Sequence, residues 1–268
     1  MARKLFCELS PTCYKISTAR LILKRNILDA FSGRKFAVVR QEEKLPVLIY
    51  SHKSLIRRRL GNVDMALQNN KAVNLSIAAP KVNSIIIRPG ETFSFWKLVG
   101  ATSAKKGYKE GLQIGNGRTM VGIGGGLCQF TNLIHWMVLH SPLEIVEHHH
   151  HDRFDLFPDF NRQVPFGTGT SIHYNYLDYR FYNPTDITFQ LIVYTTEEYL
   201  CGELRGDHVL PYSYHIKAKN EHFVKEEAGI FRCGEVYRQV IDKATGNEVR
   251  VELLRTNHAL VMYDMPLD

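Results

Sequence analysis

The chain has 268 residues, of which 44% are hydrophobic and 23% are charged, a balance typical of a globular protein with its own core. Its five cysteines are odd in number and irregularly spaced, which excludes the disulfide framework of a small secreted domain, and no apolar stretch reaches the length of a membrane-spanning helix. The net charge of +7 is concentrated in residues 1–60, which hold 14 Lys and Arg but only 4 Asp and Glu.

Residues 1–60 are predicted to form a basic and mainly helical N-terminal segment. Apolar residues recur in it at a loose helical spacing: Leu21, Ile22, Ile27, Leu28 and Phe31. Because Arg20, Lys24 and Arg25 interrupt the apolar run that a signal peptide needs, the sequence favours a cytoplasmic location.

The positive charge of this segment suits an anionic membrane surface, so we expect peripheral membrane contact through residues 1–60. A solvated basic helix with no specific partner is the alternative. No motif or aromatic pattern for base recognition accompanies the charge, so nucleic acid is not an expected partner.

Residues 61–206 are predicted to form the main domain. Residues 55–79 favour a pair of helices, and Ile85–Ile87 favours a strand that ends at a Pro-Gly turn. Residues 121–129 indicate a strand, a glycine turn and a helix start, since apolar residues follow at the helical positions 130, 133, 134 and 137. The Ser-Pro pair at 141–142 ends that helix.

Alternation of apolar and polar residues predicts antiparallel sheet in the second half of the chain. A strand is expected over residues 172–181, with 187–194 as its partner across a turn. Residues 207–268 are predicted to form a β-rich C-terminal extension with a hairpin turn at 244–247. The predicted fold class is α+β, with a mixed core in which a Cys-bearing helix packs on antiparallel sheet, a basic helical N-terminal segment and C-terminal β-hairpins.

A glycine-rich turn presents one of the cysteines. The eight residues 122–129 contain four glycines and end in Cys128 and Gln129. The positive end of the following helix is expected to lower the pKa of the Cys128 thiol, which would prepare it as a nucleophile. Backbone N–H groups of such a turn can bind an oxyanion, and the predicted residues of the turn and oxyanion site are Gly124, Gly125, Gly126 and Gln129. A structural cysteine beside a packing turn is the alternative.

A thiol nucleophile needs a proton acceptor, and several histidines are candidates. His135 and His140 lie two and three turns along the predicted helix, where a packing role is favoured. Four consecutive histidines at 148–151 follow a strand that returns from the end of the helix, and alternation places His149 and His151 on one face. Zinc bound by Cys128 and two histidines is an alternative, but no spacing supplies a fourth ligand, so no metal or other cofactor is predicted.

The stretch over residues 61–206 resembles the VanW family. The matching motifs follow one another along the chain as NLSIAA at 74–79 with Val82 and Asn83, PGETFSF at 89–95, Val99 and Gly100, Gly107 and Tyr108, the glycine-cysteine-glutamine segment at 122–129, IVE at 145–147, and DYRF at 178–181 with Asn183 and Thr185. In the family a Glu-Arg pair, a short gap and a His follow, which matches His151 best and His149 second. A family Asp in a Gly-x-Asp-Ala pattern is replaced here by Gly169.

The resemblance implies an accessory role in glycopeptide resistance and, as for some VanW-domain proteins, peptidoglycan L,D-transpeptidase activity through the cysteine. Cys128 would attack a peptide carbonyl, a histidine would carry the proton, and an amine would resolve the acyl-enzyme. The expected substrate is a cell-wall peptide or its precursor. A non-catalytic binding module that keeps the same scaffold at the membrane is the second hypothesis, and a zinc-dependent hydrolase is the third.

Overall fold

The computed structural model describes residues 5–58, 64–115, 118–150, 153–158 and 163–264. Its helices are α1 (Pro11–Phe31), α2 (Met65–Val82), α3 (Phe95–Val99) and α4 (Cys128–Leu139). The first seven strands are β1 (Lys35–Phe36), β2 (Val47–Leu55), β3 (Ile85–Ile87), β4 (Glu91–Ser94), β5 (Glu110–Gly115), β6 (Arg118–Ile123) and β7 (Glu144–Glu147). The others are β8 (Phe154–Asp155), β9 (Arg180–Tyr182), β10 (Phe189–Thr195), β11 (Tyr199–Gly206), β12 (Tyr212–Glu226), β13 (Gly229–Asp242) and β14 (Glu248–Val261).

The main core forms around an antiparallel sheet in the order β2-β11-β10-β3, against which α2 and α4 pack. Helix α4 approaches strand β11 closely at Gly202, where a Cβ atom would come within 3 Å of Met137 and Leu133. The buried side chains of this layer are aliphatic and aromatic, and include Leu75, Phe130, Leu133, Ile134, Met137, Leu191 and Leu204. The predicted α+β class, with a Cys-bearing helix on antiparallel sheet, is confirmed.

A second, smaller sheet has the order β1-β4-β9-β7, with a parallel β1–β4 pair and antiparallel pairs elsewhere. Phe93 of β4 and Phe181 of β9 stack at its centre with ring centroids 4.7 Å apart, and both are fully buried. Strand β7 runs along the outer edge of this sheet and leads directly into the histidine tract.

The C-terminal residues form a long antiparallel sheet, β12-β13-β14, to which β8 adds a short parallel strand. The predicted turn between β13 and β14 is confirmed: Asp242 accepts the N–H groups of Ala244 and Thr245, and Gly246 has φ +73°. Strands β5 and β6 pair only with each other and end at the glycine turn.

Helix α1 begins at a capped N-terminus, because the Ser10 side chain accepts the N–H of Cys13 and Pro11 occupies the first turn. It is held to the second sheet by ion pairs. Asp29 accepts both terminal nitrogens of the fully buried Arg180, at 2.6 and 2.8 Å, and Arg25 pairs with Glu147 at the end of β7. These charges are partly or wholly buried. If α1 separated from the sheet, the buried charges would lose their partners or become exposed to water.

Three local predictions differ from the structure within the described residues. Residues 1–60 are helical only to Phe31, and Val47–Leu55 forms strand β2, paired with β11. Of the predicted helix pair over 55–79, the described residues contain only α2, and residues 59–63 lie outside them. Residues 172–179 form a loop rather than a strand, because Asn175 has φ +53° and the His173 N–H donates to the Leu177 carbonyl. The predicted partner of that strand instead forms β10, which pairs with β3 and β11.

Candidate functional site

The glycine turn between β6 and α4 is packed tightly against β5. A Cβ atom at Gly125 would lie 2.1 Å from the backbone of Gly111, so only glycine fits. Gly124 and Gly126 have φ of +79° and +88°, a region that other residues rarely adopt. The buried side chain of Asn74 fixes the turn from α2, since its amide donates to the Gly125 carbonyl at 2.8 Å.

The predicted oxyanion donors are already engaged. The N–H groups of Gly124, Gly125, Gly126 and Gln129 each donate to a backbone carbonyl, at 2.8 to 3.1 Å. The Gln129 side chain donates to Ser54 and to the Leu55 carbonyl of β2, both at 2.8 Å. These groups therefore hold the turn in place. In the described part of the chain, the N–H of Leu127 has no acceptor, and it lies directly before the cysteine.

Cys128 is the first residue of α4 and is partly buried. Burial raises the pKa of its thiol above the usual value, although the N–H groups of Ile172 and of Cys128 itself act on the sulfur in the opposite direction. The expectation of a lowered pKa is therefore wrong, because desolvation outweighs the helix N-terminus and the two N–H donors. At neutral pH the resting side chain is a thiol.

Cys128 faces a cavity of about 230 Å³. The walls come from α1, the β5–β6 hairpin, the glycine turn and the loop over residues 171–176, with Trp96 of α3. No Asp, Glu, Lys or Arg side chain is among the described residues that form these walls. Aromatic rings of Tyr14, Tyr174 and Tyr176 contribute to them. The cavity is therefore suited to an uncharged, partly apolar group rather than to a carboxylate or an ammonium.

His173 lines the same cavity as Cys128. Burial lowers the pKa of its imidazole, and the nearby Ile114 backbone opposes this shift with a smaller effect. A neutral imidazole has one N–H donor and one acceptor nitrogen, so the uncharged ring of His173 can take up a proton. Sequence reasoning missed His173 because it stands alone in a segment that resembles a strand, and the only available signal was a histidine among alternating aromatic residues.

Ser171 also lines the cavity and carries an unsatisfied polar atom. Its hydroxyl is buried, the residue being 5% exposed, and has no hydrogen-bond partner within the described residues. Its backbone N–H donates to the carbonyl of His149 at 2.6 Å. A buried hydroxyl without a partner costs free energy, so this group is able to take part in a further hydrogen bond.

The histidine tract follows β7 but its described side chains turn away from the cavity. Nε2 of His149 lies 3.0 Å from Glu147 Oε1, within the ion-pair network that anchors α1. His148 contacts the Gly169 carbonyl at 2.8 Å and stacks on His135. None of the residues 148–150 forms part of the cavity wall, and His151 lies outside the described residues.

The two histidines of α4 have packing roles. His135 is buried against Tyr179, whose hydroxyl lies 3.1 Å from Nδ1, and burial places its pKa well below the usual value. His140 stacks on Tyr50, and burial lowers its pKa to about 4. Over the ranges that the structure describes, no group of three or more His, Cys, Asp or Glu side chains could hold a metal ion.

Gly169 stands where the resemblance places an aspartate. The imidazole of His150 lies over it, with Nε2 2.9 Å from the position a Cβ atom would take. A side chain at position 169 therefore requires His150 to move. The space beside Gly169 is filled by the histidine tract, and Asn132 of α4 instead accepts the N–H of the next residue, Thr170, at 2.6 Å.

The sequence that builds this site is similar to those of known proteins. The family model described as VanW like protein matches residues 70–205. The vancomycin B-type resistance protein VanW of Enterococcus faecalis is 34% identical over 236 residues, which cover 88% of this chain and 86% of that protein. The uncharacterized protein YoaR of Bacillus subtilis is 32% identical over 114 residues, 42% of this chain and 36% of that protein. No solved structure matches.

Proposed function

The chain belongs to the VanW family, and from that premise we propose that it is a cysteine-dependent acyltransferase that acts on cell-wall peptides or their precursors. The observation that carries the proposal is the placement of Cys128 and a neutral histidine, His173, on the wall of one cavity. The relative from Enterococcus faecalis is named for vancomycin B-type resistance, which supports glycopeptide resistance as the setting. An L,D-transpeptidase-like exchange of peptide bonds is the reaction we infer.

The first half-reaction forms a thioester. The Cys128 sulfur attacks a peptide carbonyl while its proton passes to the free nitrogen of His173, and a tetrahedral oxyanion forms. When the C–N bond breaks, the departing amine takes the proton from His173. Because burial keeps the thiol protonated at rest, a proton acceptor at the moment of attack is required, and a neutral imidazole meets that need.

The second half-reaction returns the enzyme to its starting state. An acceptor amine attacks the thioester, the bond between carbon and sulfur breaks, and the sulfur regains a proton from His173. The acceptor amine loses its own proton to the same imidazole. The products are a new peptide bond and a free thiol, so no further co-reactant is needed.

Two groups are available to stabilise the oxyanion and hold the peptide. The N–H of Leu127, at the start of α4, has no acceptor among the described residues. The hydroxyl of Ser171 is a buried donor and acceptor on the cavity wall. We assign the oxyanion contact to the N–H of Leu127 and a peptide contact to the hydroxyl of Ser171. The glycine N–H groups are not assigned this role, because they already donate to backbone carbonyl groups.

The Ile114 carbonyl takes the orienting role that an aspartate has in many catalytic triads. We assign it this role because the Ile114 backbone raises the pKa of His173 against the larger effect of burial, as an acceptor beside the ring does. A neutral carbonyl stabilises the imidazolium less than a carboxylate does. We therefore expect slower turnover than in family members that keep the aspartate at the position of Gly169.

An acyl-enzyme trap tests the proposal. The protein is incubated with a peptidoglycan stem tetrapeptide, without an acceptor amine, and its intact mass is measured after rapid acid quench. We expect an adduct equal to the donor acyl group on the wild type and on Cys201→Ala, a matched variant of another partly buried free cysteine. Cys128→Ala should carry none. An adduct that persists in Cys128→Ala, or no adduct on the wild type, contradicts the proposal.

A histidine comparison tests the proton acceptor. Substitution of the base typically lowers the rate by about 10²- to 10⁴-fold, and we expect a loss of this size in acylation for His173→Gln. His149→Gln, whose imidazole contacts Glu147 instead of the cavity, is the matched control and should stay within a few-fold of the wild type. If His149→Gln instead lost acylation and His173→Gln kept it, the base would lie in the histidine tract.

A non-catalytic binding module is the second candidate. It is favoured by the raised pKa of the Cys128 thiol and by a cavity that has an unsatisfied hydroxyl. It predicts that the tetrapeptide binds wild type and Cys128→Ala with equal affinity in calorimetry, and that no adduct forms on either. Loss of binding in Ser171→Ala with retained binding in Cys128→Ala would favour this module over the enzyme.

A further inference from the structure

Helix α1 has two faces with different roles. Tyr14, Thr18 and Ile22 recur at i, i+4 and i+8, and all three line the Cys128 cavity. Arg25 and Asp29 continue the same face and form the ion pairs to Glu147 and Arg180. This inward face therefore closes one side of the candidate site.

The opposite face exposes large apolar side chains. Ile16, Leu23, Ile27 and Phe31 are 54%, 60%, 49% and 87% exposed. Their spacings of seven, four and four residues place them on one stripe, about half a turn away from the cavity face. The short helical turn Phe6–Glu8 ahead of α1 is flanked by Leu5 and Leu9, which are 63% and 60% exposed. Leu21 and Leu28 are exposed as well, at 45% and 57%, outside this stripe. Single exposed apolar residues are ordinary, whereas several on one stripe are typical of a binding surface.

The exposed charges of α1 are all positive. Lys15, Arg20 and Lys24 are exposed. Arg20 lies within the apolar stripe, one turn from both Ile16 and Leu23, and Lys24 borders it. The acidic residue of the helix, Asp29, is buried against Arg180 and faces inward. Arg34 and Lys35 follow the helix and are exposed as well, whereas Glu8 precedes it and bonds the N–H of Leu5.

We propose that α1 docks this protein on a bilayer that contains anionic phospholipid, with its apolar stripe among the headgroups and its Lys and Arg side chains on the phosphates. An amphipathic helix with a basic edge binds an interface in this way. Within the described residues, no helix has the length and apolar character to cross a bilayer. A second copy of the chain fits less well, because a symmetric contact would bring the same cations of both copies together.

Docking through this face brings the candidate site close to the lipid. The stripe and the cavity lie on opposite sides of one helix, and an α-helix with its side chains is about 10–12 Å across. The cavity would then receive a peptide carried on a membrane-linked precursor more readily than one on distant, finished wall. This consequence for substrate choice rests on the proposed function, whereas the docking itself does not.

Vesicle flotation tests the docking. The full chain is mixed with vesicles of phosphatidylcholine alone or with about 30% phosphatidylglycerol, in low salt and in 0.5 M NaCl. Because exposed charges are screened within about a Debye length, we expect binding to anionic vesicles that is at least about tenfold stronger than to neutral ones and that weakens several-fold in high salt.

Paired variants locate the surface. We expect Leu23→Ser with Ile27→Ser to lose binding at least about tenfold, and Arg20→Glu with Lys24→Glu to abolish the preference for phosphatidylglycerol. The matched control is Val249→Ser with Val251→Ser, an exposed apolar pair on β14. Circular dichroism confirms that each variant is folded. Equal flotation of the α1 variants and the control, or no flotation of the wild type, overturns the proposal.

Two further measurements distinguish membrane docking from self-association and from the proposed acylation. Sedimentation of the wild type and of Leu23→Ser with Ile27→Ser identifies self-association, and a dimer that only the wild type forms would overturn docking on lipid. Acylation by soluble tetrapeptide without vesicles should be the same in wild type and variants, because none of the changed residues lines the cavity. The flotation test can therefore fail while the acylation test succeeds, and the acylation test can fail while flotation succeeds.

Discussion

The chemistry of the candidate site depends on a balance of effects at one sulfur atom. Burial in the cavity wall raises the pKa of Cys128, and N–H groups from Ile172 and Cys128 lower it, with burial the larger effect. A helix N-terminus alone does not prepare a thiolate when the side chain is removed from water. In the proposed mechanism, an imidazole that accepts the proton during attack offsets the cost of ionising the thiol.

Alkylation as a function of pH tests this balance. Because the pKa of Cys128 is raised, the rate of its reaction with iodoacetamide should still be rising at pH 9, and should be low at pH 7. Site-resolved mass spectrometry separates Cys128 from the other four cysteines, and Cys128→Ser provides the baseline. A rate that levels off below pH 7 would indicate a resting thiolate and contradict the role of burial.

At the scale of elements, the glycine turn is constrained by backbone rather than by side chains. A methyl group at Gly125 meets the Gly111 backbone of β5, which cannot rotate away as a side chain can. We expect Gly125→Ala to lower the free energy of unfolding by about 3 kcal/mol in urea titration. Gly234→Ala in β13 is the control, since its nearest neighbour is the flexible Glu221 side chain at 3.1 Å. An equal loss of unfolding free energy in the two variants would show that the glycine turn can shift to accommodate a methyl group.

Helix α1 is joined to the second sheet by groups whose charge depends on pH. Burial alone would raise the pKa of Glu147, but hydrogen bonds from His149, Arg25 and the Asp178 N–H lower it to about 2. A carboxylate with a lower pKa in the folded state stabilises the fold above its unfolded pKa, and this contribution is lost as the pH falls. The relevant window therefore lies between about pH 4.5 and pH 2.

Acid unfolding measures that contribution. The Glu147 side chain is 13% exposed, and its shift corresponds to about 3 kcal/mol between pH 5 and pH 2. We expect Glu147→Gln to be less stable than the wild type at pH 6 and to show a flatter decline on acidification, as followed by urea titration at each pH. Glu227→Gln, a carboxyl at an exposed turn, serves as the control. A parallel decline in Glu147→Gln and wild type would exclude the network as the cause.

At the scale of the whole molecule, the cavity lies where several parts of the chain meet. α1, the β5–β6 hairpin, the start of α4 and the loop over 171–176 each contribute one wall. The turn–helix unit was predictable from glycine content and helical spacing within about 20 residues. The site as a whole was not, because His173 and Ser171 are brought to Cys128 by the packing of segments more than 40 residues away in sequence.

The sequence errors share a physical cause. Ile172, Tyr174 and Tyr176 alternate as strand residues do, but the left-handed backbone of Asn175 turns the segment into a loop whose aromatic rings line the cavity. Strand β2 was assigned to a helical segment because its apolar run is short and mixed with polar residues, and only pairing with β11 determines its state. The spacing of apolar residues shows which side chains are buried, but not what buries them. A cavity wall and a sheet face can both bury every second side chain, so the pattern does not distinguish a loop from a strand.

The predicted boundary near residue 207 remains a prediction, and hydrogen exchange can test it. Strands β10 and β11 carry fully buried Leu191, Leu200 and Leu204, whereas the β12–β14 sheet is anchored by few buried side chains, mainly Val236 and Val240 of β13. Segments with few buried contacts open at lower free energy than the core. We therefore expect amides in residues 212–261 to exchange about 100-fold or more faster than those of β10 and β11.

A cavity-creating substitution in each sheet distinguishes a separate unit from a continuous fold. If the C-terminal sheet opens by itself, Val240→Ala should increase exchange across β12–β14 and leave β10 and β11 unchanged, because the lost contacts affect only the local opening. Leu204→Ala in β11 should increase exchange in both sheets, since the C-terminal sheet cannot outlast the core on which Leu210 and Tyr214 pack. Val240→Ala that accelerates exchange uniformly in both sheets would show one cooperative unit and no boundary at residue 207.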